Sequence, residues 1–297
     1  MPATMYPPGT PQYAGNLLTV DRFLKNPPQV ERAITDLTRQ RFVADELYAA
    51  GPQAVGGAVV YDQLLTGGEF FTERDVEAIA PGADFPIVSE GIAEPLVAKA
   101  AKYGGAAVFT YEEIDRDRRD VLNRNLTKLR NTIVRKVDAI AMAALNAAPV
   151  QTQTASGDWT VTSTDIIGDL ETARIAIDEQ DMGYVADLVI INPAQKLDLK
   201  RNPGIREALP RESLAGNLLG GADLGNLLGF RWAISNRVPA GTVWVTASKI
   251  VGSISDEVPL YSRVVDEPRN ERRLVMAGRR VVPFITDPRA AVRMTGA

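Results

Sequence analysis

The chain has 297 residues, 45% of them hydrophobic, and a formal net charge of −4. This length allows one large or two ordinary globular domains, and the slightly acidic balance gives no general attraction to nucleic acid or anionic lipid. No apolar run approaches the roughly 18 residues of a membrane span, and the first residues lack the basic and apolar regions of a signal peptide. The composition therefore predicts a soluble, cytoplasmic protein.

The chain contains neither cysteine nor histidine. Disulfides, thiolate nucleophiles, Ser-His-Asp triads and nearly all zinc sites are thereby excluded. No G-x-G or Gly-Lys pair occurs, so no dinucleotide fingerprint or Walker loop is present. Glu112, Glu113, Asp115 and Asp117 could be read as metal ligands, but an acidic helix N-terminus is the favoured interpretation. We therefore expect no enzyme, no catalytic residue, no cofactor, no metal and no specific nucleic-acid site.

Proline and glycine, which interrupt helices and strands, are frequent in the first third of the chain. Residues 1–28 are rich in proline and glycine, and such a segment must lie on other structure to be ordered. Gly56–Leu65 reads as a strand, after which Pro81, Pro86 and Pro95 interrupt short extended pieces. About 50 residues without a core helix are too many for a loop inside a compact domain. We predict a long two-stranded projection, stabilised by a neighbouring subunit, that adds little to the stability of one subunit, as does the N-terminal arm.

A long helix is predicted from about 114 to 147. Its apolar residues recur at spacings of three and four, which makes one continuous stripe. The stripe consists of Leu122, Leu126, Leu129, Ile133, Val137, Ile140 and Ala144. Because Arg124, Lys128, Arg135 and Asp138 keep the opposite face polar, the helix should lie on a sheet or domain surface as a rigid beam.

The second half alternates helices and strands, as in an α/β module. Ser163, Thr164 or Asp165 can cap a helix that starts at Ile166. A buried strand from Leu188 to Ile191, a short helix and two or three further strands follow. The C-terminal region predicts two more strands, and Pro283 indicates that the second has a free edge or bulge there.

This order of elements resembles the major capsid protein of tailed bacteriophages, whose fold is shared with encapsulins and the herpesvirus capsid floor. The segments that carry the resemblance best are the strand-to-helix step at Thr110–Ile114, "VIINP" at 189–193 and "DPRAAVRMTG" at 287–296. The resemblance extends over nearly the whole chain. It implies an α+β fold with an N-arm, an extended two-stranded loop, a peripheral domain with a long spine helix, and an axial α/β domain.

The domain boundaries implied by the resemblance divide the chain into four units. They are the N-terminal arm at 1–50, the extended loop at 55–109, the peripheral domain at 110–155 and 256–287, and the axial domain at 156–255 and 288–297.

The resemblance also implies a function. Such a protein self-assembles as hexamers and pentamers into the icosahedral shell of the virion, assembled in the host cytoplasm and enclosing phage double-stranded DNA that it meets without specificity. Separate scaffolding, portal and decoration proteins are possible further partners, with no membrane. The residues implied in assembly are the stripe (Leu122, Leu126, Leu129, Ile133, Val137 and Ile140) and the loop lysines Lys99 and Lys102. Some family members link such a lysine to a neighbouring asparagine; here we expect unlinked lysines.

Two alternatives stay open. An encapsulin-type nanocompartment shell would share the fold, but it needs an inner groove for a cargo peptide, and no such groove is identified in the sequence. A carboxylate-dependent enzyme, from a different class, could use residues 55–109 as a mobile lid.

Overall fold

The computed structural model describes residues 20–26, 28–30, 32, 43–64, 76–82, 84–85, 95–161, 163–203, 205 and 227–297. The proline-rich residues 1–19 and most of the predicted projection between 65 and 94 lie outside this description. Within it, no helix is both long and apolar enough to cross a membrane.

The described chain is a mixed α+β protein, as predicted. Its helices are α1 (Val20–Leu24), α2 (Val43–Leu47), α3 (Tyr111–Asp115), α4 (Arg119–Ala147), α5 (Ile166–Asp178) and α6 (Pro193–Arg201). Its strands are β1 (Ala49–Ala50), β2 (Ala58–Asp62), β3 (Pro95–Lys99), β4 (Ala101–Thr110), β5 (Gln151–Thr154), β6 (Leu188–Ile191), β7 (Arg231–Ile234), β8 (Thr242–Thr246), β9 (Gly252–Glu267), β10 (Arg272–Ile285) and β11 (Ala291–Thr295).

A four-stranded sheet has the order β1-β9-β10-β4. Strands β9 and β10 form a long antiparallel hairpin, and β4 runs antiparallel to β10 from the pair Thr110–Arg272 to the pair Ala101–Val281. Pro283 lies beyond the end of β4 and pairs only with Ile254 of β9 among the described strands. A free edge or bulge was predicted at this proline, and one side of the strand there has no described partner. Pro283 lies in β10, however, which is the first of the two C-terminal strands and not the second. A register shift lies close by, between Gly278 and Val281.

A five-stranded sheet has the order β5-β11-β8-β6-β7. Strands β6 and β8 are buried along their whole length, which confirms the buried strand predicted at 188–191. Helix α5 begins after Asp165, whose side chain accepts from Gly168 N as a cap. Helix α6 begins after Asn192 with a reciprocal capping box and a proline in its first turn.

One hydrophobic cluster contains residues of both sheets, of α4 and of α5. The predicted two-stranded projection has a described base, because β2 and β3 pair as a separate antiparallel ribbon. The helix predicted as continuous from about 114 is instead divided into α3 and α4. The break falls at Asp117, which has the left-handed φ of 47°, so the long helix starts at Arg119.

Candidate assembly surfaces

The step from β4 into the helices is fixed by a capping box. Thr110 Oγ1 accepts from Glu113 N at 3.4 Å, and Glu113 Oε2 accepts from Thr110 N at 3.3 Å. This places Glu112 and Glu113 in the first turn of α3, where their charge complements the helix dipole. Among the residues described, no group of three or more metal-ligating side chains is positioned to hold a metal ion.

Helix α4 packs on β4 and β10 through most of the predicted stripe. Leu122, Leu126, Ile133 and Val137 are buried, whereas Leu129 and Ile140 are half-buried at its margin. The sequence pattern missed Arg130, which lies in the buried face with only 7% exposure. No hydrogen-bond partner is seen for its Nε and Nη2 within the described structure. The buried face is therefore wider than the predicted stripe and includes one arginine.

Two adjacent glycines of β4 lie close to two different neighbours, α4 and strand β10. A Cβ on Gly105 would lie 3.0 Å from Leu129 Cδ1, a side-chain end that can move. A Cβ on Gly104 would lie 2.6 Å from the backbone oxygen of Ala277 in the neighbouring strand. The pair therefore has two separate roles, since Gly105 faces the helix and Gly104 is required by the strand pairing.

The described part of the N-terminal segment is attached to α4 and its preceding turn. Asp117 Oδ1 accepts from the backbone N of Val20 at 2.8 Å, and Asp138 Oδ1 accepts from Ala44 N at 3.3 Å. The buried Tyr48 hydroxyl donates to the Ala141 carbonyl at 2.8 Å. Apolar side chains of α1 and α2 join the main core; those with at most 1% exposure are Phe23, Leu24, Ala44 and Leu47.

This burial corrects one expectation. The segment was predicted to add little to the stability of one subunit, and for its described part that prediction is wrong. The proline content led to this wrong prediction, because short helices in a proline-containing segment can still insert apolar side chains into a core.

The ribbon formed by β2 and β3 has one face on the body and one face free. Val59 packs in a small cluster with Ala54, Val282 and Phe284, and the Tyr61 ring lies 4.8 Å from the ring of Phe284. On the other face, the cross-strand neighbours Val60 and Val97 are 67% and 59% exposed. An exposed valine pair on a marginal two-stranded ribbon is a surface suited to contact with another protein.

The two predicted loop lysines lie in different elements. Lys99 ends β3 opposite Ala58, while Lys102 lies in β4 opposite Arg280. The ammonium of Lys102 sits 5.9 Å from the centre of the Tyr261 ring. The structure therefore places Lys99 on the ribbon and Lys102 on the body sheet.

Charged and polar side chains hold the starts of β6 and β7 to the residues that follow the end of β8. Asp187 Oδ2 accepts from Arg231 Nη2 at 2.6 Å and from the Ser248 hydroxyl at 2.8 Å. Its Oδ1 accepts from Ser248 N at 2.7 Å. Burial acts to raise the pKa of Asp187, but these hydrogen bonds and the Arg231 charge outweigh it, so the pKa lies below its usual value.

Comparison with known proteins gives a family match for most of the chain. A family model described as phage capsid protein matches residues 93–294. No curated protein matches the sequence.

Solved capsids share the fold at low sequence identity. The capsid of the cyanophage P-SCSP1u has a TM-score of 0.64 at 12% identity, covering 98% of this chain and 93% of that one. A virus-like particle from Pyrococcus furiosus has a TM-score of 0.62 at 12% identity, covering 90% of this chain and 98% of that one. A structure from Mycobacterium phage Che8 has a TM-score of 0.58 at 12% identity, covering 98% of both chains. At such identities these similarities define the fold.

Proposed function

Because this chain belongs to the phage capsid protein family, we propose that its copies assemble as hexamers and pentamers into an icosahedral shell around double-stranded DNA. The protein is a shell-forming major capsid protein of the virion, as the sequence predicted. The observation that carries the proposal is the family match over residues 93–294, supported by a capsid fold that extends over nearly the whole chain.

The surfaces of one subunit support the finer proposal. A closed shell needs each copy to contact several others, and the exposed pair Val60–Val97 offers an apolar contact at a ribbon rooted in the body. The stripe of α4, by contrast, is covered within the subunit. We infer that the stripe supports assembly indirectly, by keeping the subunit rigid, and that the ribbon makes direct contacts with neighbouring subunits. Lys99, on the same ribbon, stays a candidate contact residue, and Lys102 a candidate on the neighbouring strand.

The proposed partners are further copies of the chain and, separately, scaffolding, portal and decoration proteins. Assembly in the host cytoplasm is part of the same proposal. The predicted domain boundaries also stay a prediction. The described elements of the arm and β4, which those boundaries separate from the body, contribute residues to the main core and to the four-stranded sheet.

A nanocompartment shell is the alternative that the sequence left open, and it would share the fold that this chain has in common with the virus-like particle from Pyrococcus furiosus. Electron microscopy of particles from cells expressing the chain with and without its phage genes separates the two candidates. Shells holding nuclease-resistant DNA in the presence of those genes support the phage capsid, whereas shells filled with one cellular protein support the nanocompartment. A stable monomer under all conditions that turns over a small substrate would contradict both and favour the enzyme.

A further inference from the structure

The charge of α4 is opposite in sign to that of the whole chain. The helix contains six basic and two acidic residues, a net charge of +4, within a chain of net charge −4. One of the basic residues, Arg130, is buried. Arg124, Lys128, Arg135 and Lys136 are exposed. Since an α-helix rises about 1.5 Å per residue, the cations from Arg124 to Arg135 extend over roughly 16 Å.

Two of these cations line an open cleft of about 490 Å³ between α4 and β4. The basic residues that line it are Lys102, Arg135, Lys136 and Arg237, and we call this surface the basic cleft. Its remaining wall is uncharged and includes Tyr103, Gly104, Gly105 and Thr132. On the strand side of the cleft, Gly104 and Gly105 follow Lys102 and Tyr103 and contribute no side chains, which makes room for a ligand.

The cations of the basic cleft are available for a ligand. No ion pair to Lys102, Arg135, Lys136 or Arg237 is seen in the described parts of the chain. Lys136 instead lies 5.8 Å from the centre of the Tyr103 ring. The nearest acid of α4, Asp138, is half-buried and accepts from Ala44 on the N-terminal segment, although Arg237 still acts on it electrostatically.

We propose that the basic cleft and the adjoining cations of α4 bind the phosphate backbone of duplex DNA without sequence specificity. The proposal rests on the proposed shell function, which brings packaged DNA against one face of every subunit. A duplex carries one negative charge per about 1.7 Å of its axis, so a duplex lying along α4 meets several cations at once. Exposed cations spread along one rigid helix match such a continuous polyanion better than they match one small anion.

The chemistry also predicts that binding is weak and strongly dependent on salt. Phosphate contacts release counterions, and each contributes a slope of about 0.9 to the dependence of log K on log salt. A net negative subunit with a local basic cleft would hold DNA loosely at low salt and release it at high salt. Such contacts position a duplex and carry no base readout.

The test is fluorescence anisotropy of a mixed-sequence duplex of about 30 base pairs with the full-length protein, titrated at several salt concentrations. The double variant Arg135→Gln/Lys136→Gln removes two cations from the cleft. The matched control, Lys200→Gln/Arg201→Gln, removes the same charge from the last turn of α6. We expect the salt slope to fall by about 2 in the cleft variant and to stay unchanged in the control.

Three results would overturn the proposal. The first is no binding of the duplex by the unaltered protein at about 50 mM salt. The second is an equal loss of slope in both double variants. The third is tighter binding of poly-glutamate than of the duplex at equal total charge, which would identify the cleft as a site for an acidic protein segment.

Shell formation is scored separately by electron microscopy, and the cleft variant is expected to form shells. A failure of the unaltered protein to form shells would contradict the proposed function. The anisotropy result is read independently of that outcome, so the two failures are distinguishable.

Discussion

Asp117 Oδ1 accepts a hydrogen bond from the backbone N–H of Val20 at 2.8 Å, across 97 residues of sequence. The residue that breaks the predicted long helix therefore also caps the first described helix of the chain. Asp138 does the same for α2 through Ala44 N. Helix N-termini leave backbone N–H groups without partners inside the helix, and here two aspartates from the α4 region accept from such groups in two short helices.

The first prediction concerns Asp117. Asp117→Ala removes the cap on Val20 and the ion pair with Arg119 at 2.7 Å, and it places alanine at φ 47°. Loss of a cap costs about 1 kcal/mol, and a left-handed conformation costs a similar amount. We expect a loss of about 2 kcal/mol in the free energy of unfolding, measured in urea.

Asp117→Asn is its control, because asparagine tolerates the left-handed region and keeps an oxygen acceptor. It should lose less stability than Asp117→Ala. Limited proteolysis should also cleave near α1 faster in the alanine variant. Equal stability of the alanine variant and the parent protein would show that the contact with Val20 does not hold the segment.

The second prediction separates Gly104 from Gly105. In Gly104→Ala the new methyl meets a backbone oxygen at 2.6 Å, and strand pairing must shift to relieve it. In Gly105→Ala the new methyl meets the end of the Leu129 side chain at 3.0 Å, which can rotate away. We expect Gly104→Ala to lose about 1–3 kcal/mol, the usual range for overpacking, and Gly105→Ala to lose less. The reverse order in urea unfolding would contradict the assigned roles.

The sequence was sufficient to predict those elements whose own residues form a recognisable pattern. The stripe of α4, the capped start of α5 and the apolar run of β6 all carry strong patterns, and each lies where it was predicted. Pro283 predicted a free edge or bulge because a missing N–H limits where proline can lie in a sheet.

The remaining features depend on contacts between distant residues. The break at Asp117 is stabilised by Val20, which no local pattern links to it. The burial of Phe23 and Leu24 depends on a surface formed by residues about 100 positions later. The basic cleft is lined by both Lys136 and Arg237, and only the fold brings these two residues to one cleft.

The third prediction is that the stability contributions of two aspartates, Asp138 and Asp187, change with pH in opposite directions. Burial, the largest cause, raises the pKa of Asp138 above its usual value, and the charge of Asp45 adds to this effect. The folded state then binds more protons than the unfolded chain, so stability falls as pH rises from about 4 through the raised pKa. Asp138→Asn keeps an acceptor for Ala44 and removes this loss. It should gain stability relative to the parent protein as pH rises towards 7.

Asp187 is the comparison, because its pKa is lowered in the folded state. Its stabilising contribution is fully present above about pH 4 and is lost as pH falls through the lowered pKa. Asp187→Asn should therefore be less stable than the parent protein at neutral pH, and the difference should shrink in acid. Urea unfolding of both variants between about pH 2.5 and 7 measures this. Parallel pH profiles for the two variants would contradict the assigned signs.

The last prediction separates folding of the subunit from assembly of the shell. Removal of residues 65–94, with a short Gly-Ser turn joining Leu64 to Pro95, keeps the β2–β3 ribbon because Asp62 and Pro95 are already paired. A deletion that extended to residue 106 would instead remove more than half of β4 from the body sheet. Ordering a backbone costs about 1–2 kcal/mol per residue, which we expect contacts with neighbouring copies to offset in the shell. The shortened protein should unfold cooperatively in circular dichroism and form no shells in electron microscopy.

A Gly-Ser replacement of 65–94 with the original length is the matched control. If this segment ties subunits together through its side chains, the control should fold and also fail to form shells. Shells of normal size from the shortened protein would show that the segment is not an intersubunit tie. Unfolding of the shortened subunit would show that the segment belongs to the core of one subunit, because the ribbon, β4 and α4 are all left intact by the deletion.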